Sequence, residues 1–159
     1  MADFTLNYEA CYGTLTIDGV ALMCPGWTIL TLGGFYATPA ELGTDRVIPG
    51  VDGVIPYKRR ATVTRHSLPM VVVGQHNRLG VEYPEPYVGM ETNLAYLLAN
   101  VALPTGVGDG TRTAVWTRPS GATITAAVHV LGLAQPVLSR AGNMLTSLEI
   151  SDVKGVLHL

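Results

Sequence analysis

The sequence predicts a mainly β protein: a β-sandwich flanked by one α-helix. Three observations carry that expectation. Short runs rich in Thr, Val, Ile and Leu recur between turn signals built from Gly, Pro, Asp and Asn. Two late runs alternate with the period of a strand. Ile124, Ala126, Val128 and Val130 alternate with Thr123, Thr125, Ala127 and His129, and Met144, Thr146, Leu148 and Ile150 with Leu145, Ser147, Glu149 and Ser151. Only one segment has a clear helical period. Leu94, Leu97, Leu98 and Val101 fall at i, i+3, i+4 and i+7, and Met90 extends that face one turn earlier.

Taken in order, Leu15–Ile17 and Val20–Leu22 flank Asp18-Gly19, a pair that supplies the positive φ of a type I′ hairpin turn. Pro25-Gly26 breaks the chain, and Trp27–Leu32 reads as a strand ended by Gly33-Gly34. Residues 35–45 read as a loop. Asp45–Ile48 and Val54–Tyr57 sit on either side of the turn cluster Pro49-Gly50-Val51-Asp52-Gly53. A long strand follows from about Ala61 to Val73. Pro69 predicts a bulge or an edge position there, because proline cannot donate to a ladder. Residues 75–89, with Gly80, Pro84, Pro86 and Gly89, read as a long loop. The helix is placed at about 90–103 and stopped by Pro104. Strands are expected at Thr111–Thr117, Ala122–Leu131, Met144–Asp152 and, after a turn at Lys154-Gly155, Val156–Leu159. Ala134–Asn143 is expected to be a loop.

Composition narrows the class. A chain of 159 residues suits one domain, 1–159, with its own core. Only 14% of residues are charged and 48% are hydrophobic, so part of the surface is expected to lie hidden in an assembly. A formal net charge of −2 argues against a general nucleic-acid binder. No apolar run is long enough to span a bilayer, and the N-terminus lacks the pattern of a signal peptide. Cys11 and Cys24 do not make a disulfide framework and are expected to be free.

A search for chemistry finds none. His66, His76, His129 and His158 lack metal-ligand spacing. Ser67 and Ser120 are not in a nucleophile elbow, and His66 and Ser67, adjacent on a strand, point to opposite faces. Gly106–Gly110 follows a helix and has no lysine of a phosphate loop. Glu82 and Glu85 read as a solvated loop. No cofactor, metal or catalytic residue is expected. The basic run Lys58-Arg59-Arg60, with Arg46, Arg65 and Arg78 near it in sequence, is better suited to acids on a neighbouring subunit than to phosphate. Arg46 and Asp52 bracket the central turn. Tyr83 and Tyr87 share one loop with Pro84 and Pro86. These eight residues, Arg46, Asp52, Lys58, Arg59, Arg60, Arg65, Tyr83 and Tyr87, are the candidate subunit interface.

The order of elements resembles the tail-tube fold proteins of long-tailed bacteriophages, in particular the distal tail protein family. The resemblance rests on the hairpin Leu15–Leu22, the strand led by Gly26-Trp27-Thr28-Ile29, the turn Pro49–Gly53, the strand Ala61–Gly74, one helix at about Met90–Leu103, and the paired strands Thr111–Leu131 and Met144–Asp152. It covers most of the chain. It implies a structural virion protein, a distal tail protein or the tail tube subunit, forming a hexameric ring of the tail around the DNA channel, with DNA passing through the lumen without specific binding. Tube, tape-measure and baseplate proteins would be its partners, and assembly would take place in the host bacterial cytoplasm. Many distal tail proteins carry a second domain, for which this chain has no room. The alternatives are a tail terminator ring at the head end, or a monomeric carbohydrate-binding module using Tyr83 and Tyr87.

Overall fold

The computed structural model describes residues 12–37, 64–102 and 110–157, together with paired backbone at 41–42, 46–47, 54–55 and 60–61. Asp18 and Gly19 both take positive φ, 49° and 78°, as a type I′ turn requires. They fold β1 (Thr14–Ile17) onto β2 (Val20–Ala21). A second hairpin joins β3 (Met23–Cys24) to β4 (Trp27–Ile29). Four longer strands, β9 (Thr64–Val72), β10 (Arg112–Thr117), β11 (Thr123–Leu138) and β12 (Met144–Asp152), complete one antiparallel sheet. Its order is β2-β1-β10-β11-β12-β9-β4-β3.

The two ends of this sheet meet at Leu22. Its N–H donates to the Leu15 carbonyl, and its own carbonyl accepts from Ile29 N–H. The sheet therefore closes on itself, and the two layers expected of a sandwich are opposite walls of one sheet. The inward residues fill the interior. On β9 these are His66, Leu68, Met70 and Val72, and on β12 Met144, Thr146, Leu148 and Ile150. Closure also deals with the exposed edges that an open sheet would present. Trp27 and Trp116 are the largest fully buried side chains, and each indole N–H has a partner, the carbonyls of Ala21 at 3.0 Å and Tyr12 at 2.9 Å. Where the expected loop 35–45 begins, a 3₁₀ turn at Gly33–Tyr36 carries Phe35 fully into the core, edge-on to Trp116 and His66.

Several boundaries differ from the sequence reading, each for a local reason. The helix α1 is Pro86–Leu97 and begins four residues before the expected start. Pro86 ends no element; it occupies the first turn, where a missing N–H costs nothing. The buried stripe is Met90, Asn93, Leu97 and Val101, with Leu94 and Leu98 half-buried. A wider π turn at Leu98–Ala102 follows and brings both Val101 and Ala102 inward.

β9 runs through Pro69 without a register shift. The Pro69 carbonyl faces the β4 side, where it accepts from Leu30 N–H at 2.7 Å, so the absent N–H points there too and the ladder to β12 loses nothing. β11 continues to Leu138, and the expected loop at 134–143 shrinks to a turn after Ser139. Two bulges, at Val130/Gly132 and Ala134/Val137, bend the strand. β4 stops at Ile29, and the chain beyond Lys154 makes bends, with Leu157 buried, in place of the expected strand at 156–159, whose last two residues lie outside the described ones.

Four two-residue strands lie outside the main sheet: β5 (Glu41–Leu42), β6 (Arg46–Val47), β7 (Val54–Ile55) and β8 (Arg60–Ala61). Glu41 pairs with Ala61, Leu42 with Arg60, Arg46 with Ile55 and Val47 with Val54. These are two separate two-stranded antiparallel ladders. The central turn at 49–53 lies outside the described residues.

Candidate assembly surface

Past its last residue, Val72, β9 runs into backbone. A Cβ on Gly74 would lie 2.0 Å from the Pro86 carbonyl oxygen and 2.3 Å from that of Gly142, and one on Gly89 would lie 2.1 Å from the Gly74 oxygen. Glycine is required at both positions because the main chains themselves are in contact. Polar side chains complete the joint. Asn93 Nδ2 donates to the carbonyls of Val73 and His76, both at 2.7 Å. Asn143 Oδ1 accepts from Gly74 N–H at 3.1 Å, and the Tyr87 hydroxyl donates to the Arg140 carbonyl at 2.9 Å. The end of β9, the start of α1 and the β11–β12 turn are thereby fused into one platform.

The platform displays apolar side chains to solvent. Seven of the ten exposed large apolar residues among the described ones belong to its elements: Leu79, Val81, Tyr87, Val88, Val137, Leu138 and Leu145. Glu82, Glu85 and Glu91 are exposed among them. Val137, Leu145 and Val71 form one cross-strand row on the outer face of the sheet. Beside that row lies an open groove lined by Leu30, Pro69, Ala134 and Leu145 and by the polar Ser67, Ser147 and Glu149. Ser67 Oγ donates to Glu149 Oε1 at 2.6 Å and lies 2.6 Å from Ser147 Oγ. This trio ties β9 to β12. His66 points inward and Ser67 outward, as adjacent strand residues do, so they form no catalytic pair.

At the Thr64 end of β9, charge replaces close backbone approach. Arg112 is buried and donates to Asp18 Oδ2 at 3.1 Å and to the Asn100 carbonyl at 2.7 Å. Asp18 Oδ1 accepts from Thr113 N–H. Asp152, with no exposed surface, accepts from the N–H groups of Lys154 and Leu157. Arg65 and Lys154 are exposed at this end.

Five of the eight candidate interface residues lie among the described residues. Arg65 stands on the outer face of β9. Arg46 and Arg60 are strand residues of the two short ladders, one in each, and Asp52, Lys58 and Arg59 lie outside the described residues. Tyr83 and Tyr87 belong to the platform but are anchored to different elements. The Tyr83 ring packs where a Gly89 Cβ would stand, and Tyr87 reaches the β11–β12 turn. Near the platform, Trp27 stacks on Tyr96 with ring centroids 5.6 Å apart, and Arg78 lies over Tyr96. The half-buried Cys24 closes that cleft. Burial pushes its thiol pKa up, against weaker opposing pulls from backbone hydrogen bonds and Arg78. Cys11 lies outside the described residues. Among the described residues no three His, Cys, Asp or Glu side chains gather as a metal site, and no helix is long and apolar enough to cross a membrane.

No protein-family profile matches this chain, and no curated protein does. Among solved structures, the chain is similar to the Dit (gp 19.1) protein of phage SPP1, described as a paradigm of the hub adsorption apparatus in phages infecting Gram-positive bacteria. The match covers 89% of this chain with a TM-score of 0.56 and 13% sequence identity. The likeness is one of fold. This chain spans about half of the Dit chain, 50% of its length. At that identity the fold is shared while the surfaces are this chain's own.

Sequence reasoning missed most of the platform. It placed the helix start, residues 86–89, in a loop, and Val137 and Leu138 likewise. One signal was present: Leu145 is an apolar residue in the polar register of its strand, next to Ser147 and Glu149. An apolar side chain on the solvent face of an alternating strand marks a covered or partnered surface.

Proposed function

We propose that this chain is a structural protein of a bacteriophage tail, acting as a subunit of a hexameric ring in the adsorption hub through which DNA passes. The observation that carries this reading is the fold likeness to SPP1 Dit over 89% of the chain. Two features agree with it. Large apolar side chains are concentrated around one end of the sheet, as expected for a surface covered in an assembly. The two short ladders, β5–β8 and β6–β7, pair with no strand of the main sheet among the described residues. A two-stranded ribbon is marginal alone in water and gains stability from docking. A ring of identical subunits needs a heterologous contact that closes, and the tail protein needs no catalytic step.

Negative-stain electron microscopy of the purified chain, with light scattering for mass, tests this reading. Rings with a central hole are expected. Stacked tubes would move the subunit to the tube, and a persistent monomer would overturn self-assembly into a ring.

A further inference from the structure

We infer that the finger formed by residues 75–83 seats its Leu79 tip in the groove on the outer face of β9 and β12 of a second copy of this chain, with Arg78 reaching Glu149 of that copy. The inference rests on the ring reading above and goes beyond it by naming both halves of a subunit contact.

The finger is a tight fold of backbone. Tyr83 N–H donates to the Gln75 carbonyl at 2.7 Å, His76 bridges to Glu82, and Asn77 N–H donates to the Val81 carbonyl at 2.8 Å. The Asn77 side chain closes the tip, its Oδ1 accepting from Leu79 and Val81 N–H, both at 2.9 Å. Gly80 supplies the positive φ, 83°, that the turn needs. With its polar groups used internally, the tip displays Leu79 and Val81, exposed at 74% and 60%. Arg78 is exposed beside them. Its guanidinium lies over the Tyr96 ring and forms no ion pair with a described residue. Glu82 stands back at the root, opposite His76. The tip is therefore apolar and cationic. A loop ordered before binding loses little freedom on docking.

The groove has the converse chemistry. It encloses about 360 Å³ between Leu30, Pro69, Ala134 and Leu145, and a cavity of about 150 Å³ already holds a benzene ring. Leu145 is half exposed there, in the polar register of its strand. Glu149 supplies the charge. Its Oε1 is taken by Ser67, and its Oε2 has no partner among the described residues. The groove is therefore apolar and anionic where the tip is apolar and cationic. The chain's own finger does not fill it. The groove lies along the middle of β9, the finger leaves beyond Val72, and no finger residue lines the groove. Two different patches of one chain that match each other make a heterologous contact between copies, the kind that closes a ring. Burial of Leu79 supplies the affinity of such a contact, and the charge pair sets its register and excludes wrong partners.

Disulfide trapping and charge exchange test the inference. In a Cys11→Ser, Cys24→Ser background, chains carrying Leu79→Cys mixed with chains carrying Leu145→Cys are expected to form a disulfide-linked pair on mild oxidation, and neither chain alone is expected to do so. Leu79→Asp, on an exposed tip, is expected to weaken ring formation about tenfold or more. Arg78→Glu and Glu149→Arg are each expected to weaken it, and the variant carrying both to recover most of the loss. Rings that form in the wild type and are unaffected by Leu79→Asp, with no trapped pair in the mixture, overturn this contact and leave the ring reading standing. A wild-type chain that stays monomeric, with no trapped pair in the mixture, overturns both.

Discussion

Around the sheet end where β9 starts, neighbouring elements are tied by side-chain charge and hydrogen bonds, whereas at its Val72 end β9 is fixed by contact between main chains. The first arrangement uses Arg112, Asp18 and Asp152, each reaching a backbone group or a charge across a gap. The second uses glycines whose missing side chains let three elements touch. The difference matters for tolerance. A hydrogen-bonded joint can lose one partner and relax. A joint without room for a methyl group cannot, because interiors are close-packed and do not deform smoothly.

Gly74→Ala should therefore be the most damaging single change. Its methyl group would meet two carbonyl oxygens, and a loss of at least about 3 kcal/mol is expected, lowering Tm by about 6–12 °C. Gly34→Ala is the control, since its methyl would meet only a His66 ring atom at 3.7 Å; a similar loss there would refute the steric account. Next in size is Asp152→Ala, which leaves two N–H groups without their acceptor. About 2–3 kcal/mol is expected in urea unfolding, and a loss under about 1 kcal/mol would mean water replaces the carboxylate. Asn93→Leu should cost less, about 1–2 kcal/mol, because the groups it abandons are carbonyls, which tolerate a lost partner better than N–H groups do. If Asn93→Leu proves as damaging as Gly74→Ala, the side chain and not the main-chain contact holds the platform.

The smallest effect concerns reactivity at the Val72 end. In a Cys11→Ser background, Cys24 should alkylate with iodoacetamide more slowly than a free thiol at pH 8. Burial raises its pKa, so less thiolate is present, and the rate should climb only above the pH range of an ordinary thiol. A rate equal to that of a free thiol would show that water reaches the cleft.

Much of the fold was legible because it depends on local rules. Asp18-Gly19 specifies its hairpin through φ alone, and the alternation in 123–130 and 144–151 specifies which side chains face inward, since a one-residue slip would expose every one of them. The helix was legible from its period. Its start was not, because Pro86 reads as a breaker until its neighbours show that it stands in a first turn. The basic interface candidates came from composition. The platform could not, because Leu79, Val88 and Leu145 belong to segments that are brought to one end of the sheet only by pairing across long separations.

The sequence by itself determined the class: a β-rich chain with short turns and few charges. These follow from periodicity, glycine and proline placement, and composition, all of which act within a few residues. Tertiary structure alone decided that the sheet closes through Leu22, that Pro69 sits harmlessly in a paired strand, and that Gly74, Gly89 and Gly142 meet. Each of these depends on which carbonyl or N–H stands opposite a residue distant in the chain, and no local pattern carries that information.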